Sequence, residues 1–442
     1  MVRQPAREVV DAITTGFEEF ATPLRDEPAD GPIDWPGYRE AREAASARTG
    51  EKESVVCGTA KIGDVGAVLI AFEFGFLGGS LGQRTGDRIE AAFAHARDTR
   101  LPVVSLISTG GSRMQQGMRA LMQLQRVARA SALTRAASVP RISVLRDPTT
   151  GGGWATLGAG ADVILALPEA QVGFAGSRVR PPGSPEAYTG EAKFEWGQVD
   201  AVVPSAGLGP TLERWLRLLT SHSSAAAPPP KALRPASLPE TGWEAVQAAR
   251  APERARAGEY LDAYFDWREA ISGDRCGGVD SGVACGFGWR DGRTIAYAAQ
   301  CGTPTSPSGF RTATRLVKLA SRLGIPVLTL VDTPGAANDA AAEQAGAGGA
   351  IADLFEAVAT ASVPVTTLVI GEGGSGGALA FAAAESTWVA PDAYFSVTSP
   401  EAAAAILKRP ASEVPALANQ LRLRPQDLVD LGVARAVVSP AE

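Results

Sequence analysis

The chain has 442 residues, long for one hydrophobic core and long enough for two. Its 45% apolar and 20% charged residues are those of an ordinary globular protein. A net charge of -6 excludes a general pull towards nucleic acid or anionic lipid, so any polyanionic ligand has to be held locally. No stretch is apolar enough to span a bilayer, and the opening MVRQPAREVVDAI lacks the apolar core of an export signal, so a cytoplasmic location is expected. Cys57, Cys276, Cys285 and Cys301 show no C-x-x-C pairing and read as buried or incidental thiols. The two histidines, His95 and His222, lie in AAFAHARDTR and SHSSAAAPPP, away from any glycine turn. That argues against a Ser/His/Asp hydrolase and against a histidine-ligated metal enzyme.

In chain order, residues up to about Ser54 read as helical and polar, with a Pro-rich break from Pro23 to Pro36 and a charged helix from Tyr38 to Ala47. Val55 to Ala60 and Val65 to Phe74 predict a hairpin around Gly63 and Asp64. A glycine segment, Gly78 to Gly82, precedes a helix from about Asp87 to Asp98. Pro102 then opens the strand VVSLIS, which ends at Gly110-Gly111-Ser112-Arg113. A helix follows to about Ala137, and Pro140 opens RISVL, which runs into Asp147 to Gly153. Alternating strands and helices predict an α/β fold with partly parallel strands. Ser221 to Glu240 is too rich in Pro, Ser and Ala to form a packed element and reads as a linker, dividing the chain into domains 1–220 and 241–442. Beyond it come a predicted helix from Glu259 to Ala270, a hairpin from Gly282 to Gln300 turning at Arg290-Asp291-Gly292, and a helix from Phe310 to Leu323.

The earlier pattern then returns. LPVVSLISTGGS matches IPVLTLVDTPGA, and SVPRISVLRDPTTGGGWATLGAG matches SVPVTTLVIGEGGSGGALAFAAA. The strand-opening prolines are equally spaced in both halves (140 − 102 = 38 and 364 − 326 = 38), which marks an internal duplication. Each half carries two strand ends that stop in small residues. The turn Ile370 to Phe381 shows the pattern most clearly, with a buried strand, a glycine turn and an Ala-rich helix opening at Gly376. Free backbone N–H groups at such a junction make an oxyanion cradle that supplies no acid, base or nucleophile of its own. Two cradles without a side-chain base fit proton removal alpha to a thioester, with one cradle for the enolate. The second suits a donor that itself leaves as an oxyanion, such as the ureido oxygen of biotin.

These motifs resemble a known family. From GEKESVV through EFGFLGGSLG, STGGSRMQQG, RDPTTGGGWA and VGFAGSRV, the first half is similar to the β subunit of the bacterial acetyl-CoA carboxylase carboxyltransferase. From APERARAGEYLDAYFDW through PSGFRTATRLVKLASRLGIPVLTLVDTPGA to VIGEGGSGGALAF and SVTSPEAAAAIL, the second half resembles its α subunit. The resemblance implies two crotonase-like (ClpP/crotonase superfamily) spiral domains in tandem, a β-type domain on the acyl-CoA side and an α-type domain on the biotin side. It implies sites shared between protomers, hence a homodimer or larger. It also implies biotin carried by a partner, a coenzyme A thioester as substrate, and a biotin carboxyl carrier protein and biotin carboxylase as partners.

By the same resemblance, Gly111 and Ser112 with Gly152 and Gly153 supply the N–H groups for the enolate. Gly335 and Ala336 with Gly376, Gly377 and Ala378 supply those for the ureido oxygen. Gly78, Gly79, Gly151 and Gly176 line the substrate, and Arg113, Arg178 and Arg180 reach coenzyme A phosphates or a carboxylate.

Three departures stand out. The family's four-cysteine zinc ribbon has no counterpart before Cys57, so no metal is expected; TPGAYPG has become TPGAAND; and MQEG has become MQQG at Gln116. They keep two alternatives open: a biotin-independent carboxyacyl thioester decarboxylase or transferase on the same fold, and a non-catalytic subunit that only assembles a larger carboxylase.

Overall fold

The structure, a computed structural model, describes residues 4–21, 25, 28–234 and 237–440, and divides into two compact units, Met1–Thr220 and Ser221–Glu442. Pro23 of the expected Pro-rich break and Pro235 of the expected linker lie outside the described residues. In the first unit the strands are β1 (Thr15–Glu19), β2 (Val55–Ile62), β3 (Val65–Phe72), β4 (Val103–Thr109), β5 (Arg141–Thr150), β6 (Val163–Ala166), β7 (Val172–Gly173) and β8 (Ala201–Val202). They form one sheet in the order β1-β2-β3-β4-β5-β6-β8, with β7 paired to β5. The second unit has β9 (Trp267–Ile271), β10 (Val283–Arg290), β11 (Arg293–Gln300), β12 (Val327–Thr333), β13 (Val365–Gly374), β14 (Thr387–Val389) and β15 (Tyr394–Ser396). Their order, β14-β13-β12-β11-β10-β9 with β15 on β13, repeats the run from β6 to β1 with β7 on β5.

The repeat extends to register. β4 pairs parallel to β5 as Val103↔Arg141 and, past an irregularity, as Thr109↔Thr149; β12 pairs with β13 as Val327↔Val365 and Thr333↔Gly373. Counterparts lie at one offset (327 − 103 = 365 − 141 = 224), and the shift in pairing falls at the same place in both. The strand-opening prolines work alike, since Val103 N–H donates to Pro140 O and Val327 N–H to Pro364 O, each at 2.9 Å. All seven residues of β4 and of β12 are buried, as expected of parallel strands covered on both faces. The helices Gln83–Thr99 and Pro307–Leu323 occupy equivalent places in the two units, each turning a buried face to its sheet.

The predicted hairpins form. Ile62 pairs with Val65 across a two-residue turn, and Arg290 pairs with Arg293 across Asp291 (φ 49°) and Gly292 (φ 76°), the left-handed pair that a tight hairpin needs. Two expectations are corrected. The helix read through Glu259 to Ala270 stops at Tyr264, and Trp267–Ile271 is β9, whose Trp267 stacks on its cross-strand partner Trp289 at 5.9 Å. That cross-strand contact stabilises the strand and involves a partner distant in sequence. The opening segment, read as helical, contains β1, which pairs antiparallel with β2. Within 221–240, Arg293 donates to the carbonyls of Ala225 and Ala226, Tyr264 hydroxyl to Pro228 O, and Ala232 bridges to Pro440. These described parts therefore lie against the second unit without a helix or strand of their own. Among the described residues no helix is long and apolar enough to cross a membrane.

Candidate functional site

In the first unit four segments leave the carboxyl ends of neighbouring parallel strands and meet. They are the turn Leu77–Gly79 after β3, Gly110 to Arg113 after β4, Gly151 to Gly153 after β5, and Phe174 to Arg180 after β7. Gly110 N–H donates to Gly78 O at 2.8 Å, and Leu81 and the Gly111–Arg113 segment exchange bonds, Leu81 N–H to Gly111 O and Arg113 N–H to Leu81 O. Gly111 N–H turns back onto Thr109 Oγ1 at 3.1 Å. Ser112 N–H, between them, makes no hydrogen bond among the described residues.

Gly151 takes φ +63°, and a Cβ there would lie 3.1 Å from Gly111 Cα; the missing side chain lets the two segments touch. Gly152 and Gly153 follow in the first turn of a short helix, where N–H groups have no partner within the helix. Gly79 is pressed on Ser108 O, whereas Gly78 and Gly176 face open space. The structure thus brings Gly78, Gly79, Gly111, Ser112, Gly151, Gly152 and Gly153 into one small volume.

The second unit repeats the arrangement. Thr305 N–H donates to Gly335 O at 3.0 Å, Ala337 N–H to Thr305 O at 2.8 Å, and Gly335 N–H turns onto Thr333 Oγ1 at 3.1 Å. Among the described residues Ala336 N–H is left over, as Ser112 N–H is in the first unit. Ser375 takes φ +56°, the counterpart of Gly151, and opens the helix Ser375–Leu379 that contains Gly376, Gly377 and Ala378. A Cβ on Gly377 would fall 2.3 Å from Ala336 N, so the helix start and the Gly335–Ala336 segment are in direct contact. Gly376, by contrast, has nothing within 4 Å of such an atom and leaves a gap beside the free N–H groups.

Among the described residues neither cluster contains an available base. Glu372 is held by the Tyr394 hydroxyl at 2.7 Å and by Arg250 at 3.0 Å. His95 packs its ring on Phe20, and His222 Nδ1 lies 2.6 Å from Leu323 O. Burial pushes the Cys57 and Cys285 thiols up to about 12.

The three arginines separate. Arg113 is 1% exposed, binds the Glu53 carboxylate with two nitrogens, and reaches Tyr38 Oη at 3.2 Å and Ser80 O at 2.8 Å. It braces the Ser112 loop from behind, and its charge is not presented to a ligand. Arg180 lies 3.7 Å over the Tyr188 ring and donates to Ala175 O and Gln171 Oε1, fixing its own loop. Arg178 is exposed.

Two of the sequence departures have local explanations. Gln116 is fully buried, accepting from Gln83 N–H at 2.7 Å and donating to Tyr38 Oη at 2.9 Å, so the amide ties the start of the helix Gln83–Thr99 to the Arg113 network. In TPGAAND, Asp339 accepts from Ala342 N–H at 2.8 Å and caps a short helix, Ala340–Gln344.

A buried ion pair behind the second cluster goes unseen in the sequence. Asp332, 1% exposed, is gripped by Arg254 Nη2 at 2.6 and 2.7 Å and accepts Glu372 N–H at 3.2 Å, while Arg254 Nη1 reaches Ile370 O at 3.3 Å. The pair ties the end of β12 to β13 just before both strands reach their donor segments. The Asp of VDTPGA is legible in the chain; its partner, 78 positions away, carries no signal.

Comparison with known proteins agrees with this architecture. Residues 34–193 match the carboxyl transferase domain, and residues 237–441 match the acetyl co-enzyme A carboxylase carboxyltransferase-like family. The chain is 39% identical over 439 residues to the acetyl-coenzyme A carboxylase carboxyl transferase subunits beta/alpha of Salinispora arenicola, covering 92% of this chain and 77% of that one. It is 33% identical over 411 residues to a probable biotin-dependent acyl-coenzyme A carboxylase beta3 subunit of Mycobacterium bovis, covering 90% and 82%. Among solved structures, transcarboxylase 12S with hydrolysed methylmalonyl-coenzyme A bound superposes with a TM-score of 0.80 at 19% identity, over 99% of this chain and 87% of that one. Its likeness shows the shared crotonase-like fold. With both halves matched in one polypeptide and in beta-then-alpha order, the chain belongs to the acetyl-CoA carboxylase carboxyltransferase family and is a carboxyltransferase of the biotin-dependent acyl-CoA carboxylase type.

Proposed function

We propose that this enzyme moves a carboxyl group between carboxybiotin and the alpha carbon of a short acyl-CoA. The observation that carries the reading is the duplicated cradle. Ser112 and Ala336 occupy equivalent places, each with an N–H unused among the described residues beside the start of a glycine-bearing helix. In the first unit, Ser112, Gly152 and Gly153 hold the thioester oxygen as it gains charge when the alpha proton leaves. A preorganised donor of this kind is worth roughly 2.7–4 kcal/mol. In the second unit, Ala336, Gly376, Gly377 and Ala378 hold the ureido oxygen, and the gap at Gly376 fits a flat ring approaching without side-chain interference. Biotin supplies the transferable carboxyl group and, with no imidazole in either cluster, the nitrogen that takes the substrate proton. A biotin carboxyl carrier protein and a biotin carboxylase are the implied partners, and the chain works as a dimer or larger.

The test is a panel of malonyl-, methylmalonyl- and longer carboxyacyl-CoA thioesters in the reverse direction, with and without free biotin. Biotin-dependent formation of acyl-CoA is expected for at least one thioester. Release of CO2 without biotin would favour the decarboxylase alternative. Absence of turnover in every arm would leave only the assembly role.

A further inference from the structure

β11 ends in Gln300, a fully buried glutamine in contact with the second cluster. Its Nε2 donates to Gly377 O at 3.1 Å and to Thr305 Oγ1 at 3.0 Å. Gly377 O can only accept, which fixes the nitrogen end of the amide on that side, and both N–H groups of Nε2 are used. Oε1 is left buried without a hydrogen-bond partner among the described residues.

The two contacts reach the two walls of the cradle. Gly377 belongs to the helix Ser375–Leu379, whereas Thr305 brackets the leftover donor Ala336, giving its N–H to Gly335 O and taking the Ala337 N–H on its own carbonyl. One side chain therefore ties the Gly335–Ala337 segment to the helix start.

The duplication shows that the fold does not need this amide. Val68 pairs with Val103 as Ala296 pairs with Val327, so Gln300 stands where β3 ends in Phe72 (300 − 296 = 72 − 68). Thr305, bridged to Ala336, stands where Leu81 is bridged to Ser112. Phe72 and Leu81 are both fully buried, so the first unit closes the same junction with two apolar side chains. The second unit has an amide and a hydroxyl there and strands one buried acceptor, at a cost in stability. A local rule broken where an apolar pair would serve the fold points to a demand of the site.

We infer that Gln300 is a positioning residue for carboxyl transfer. Through Thr305 and Gly377 it sets the spacing between the Ala336 N–H and the donors at the start of the helix Ser375–Leu379, and so the fit of the second cradle to its oxyanion. This rests on the reading of the second unit as the biotin side.

The experiment compares the full chain, wild type, with Gln300→Met, which keeps the length of the side chain but removes both donors and the stranded acceptor, and with Thr305→Val, which removes one of the two contacts. Biotin-dependent decarboxylation of a carboxyacyl-CoA, calorimetric binding of coenzyme A, urea midpoints and amide hydrogen exchange are measured on each. For Gln300→Met, kcat is expected to fall about 100-fold, the loss that a misplacement of about 1 Å brings. Its urea midpoint should equal or exceed that of wild type and its Kd for coenzyme A should be unchanged. Exchange should quicken at 335–337 and 375–379. Thr305→Val should show the same pattern with a smaller loss, about tenfold, and carries the comparison if Gln300→Met does not fold. A wild-type kcat in the folded variants overturns the inference. So does a fall in kcat matched by a fall in urea midpoint, which would make Gln300 a residue of the fold alone. A wild type without turnover, whose variants still exchange faster in those two segments, upholds the brace and overturns the biotin-side reading instead.

Discussion

Arg113 and Glu53 form an ion pair across 60 positions of sequence, with side chains 0% and 2% exposed. Burial alone would push the Glu53 carboxyl up, but the Arg113 charge and hydrogen bonds outweigh it and hold the group below the ordinary carboxylate range. A folded-state value below the unfolded one stabilises the protein above the unfolded pKa, about 4.3, and that contribution is lost as pH falls through the folded value. Glu53→Gln, which strands the buried guanidinium, is expected to cost about 3–5 kcal/mol at neutral pH. The deficit against wild type should narrow in acid, as read by urea midpoints from about pH 7 down to about pH 3. A constant deficit across that range would show that the pair is not what Glu53 contributes.

Gly376 and Gly377 are neighbours with opposite expectations. A methyl at 377 lands on Ala336 N, the donor left over by the fold, whereas one at 376 meets nothing within 4 Å. Gly377→Ala should lower kcat roughly 100-fold or more, with coenzyme A affinity unchanged. Gly376→Ala, whose methyl enters the gap assigned to the biotin ring and leaves the Ala336 donor in place, should raise KM for free biotin and keep kcat within a few-fold of wild type. Equal losses in both variants would argue against Ala336 N–H as an oxyanion donor.

Asp332→Asn leaves Arg254 with an uncompensated buried charge and loosens the tie between β12 and β13. A stability loss of about 3–5 kcal/mol is expected from denaturant midpoints. Decarboxylation of carboxybiotin should fall with it, while coenzyme A binding, assigned to the first unit, stays at the wild-type value. Arg254→Lys, which keeps the charge and loses the bond from the second guanidinium nitrogen to Ile370 O, should fall between wild type and Asp332→Asn on both measures.

The thiols should sort by environment. Cys57 and Cys285 are buried with thiols raised to about 12, while Cys276 is exposed. A thiol reagent at about pH 8 is expected to label Cys276 first and to leave Cys57 and Cys285 unmodified until the protein unfolds. Cys276→Ser should retain full carboxyl transfer, since Cys276 touches neither glycine cluster.

Local chemistry along the chain is enough to establish the duplication, the parallel strands and the turns. Pro102, Pro140, Pro326 and Pro364 open buried strands, and glycines mark the strand ends, so both clusters can be located before any contact is known. The same reading cannot separate a helix from a strand at Trp267, because the deciding partner, Trp289, lies across the sheet. Nor can it rank the arginines. Arg113 reads as a ligand for an anion on the same footing as Arg178 and Arg180 and is deeply neutralised, because Glu53, Tyr38 and Ser80 converge on it once the chain has folded. Backbone donors differ in this respect: their availability follows from where a strand ends and a helix begins, which the glycines already write into the chain. The availability of a charged side chain depends instead on its neighbours in space, so the cations that face a ligand emerge with the folded contacts and not before.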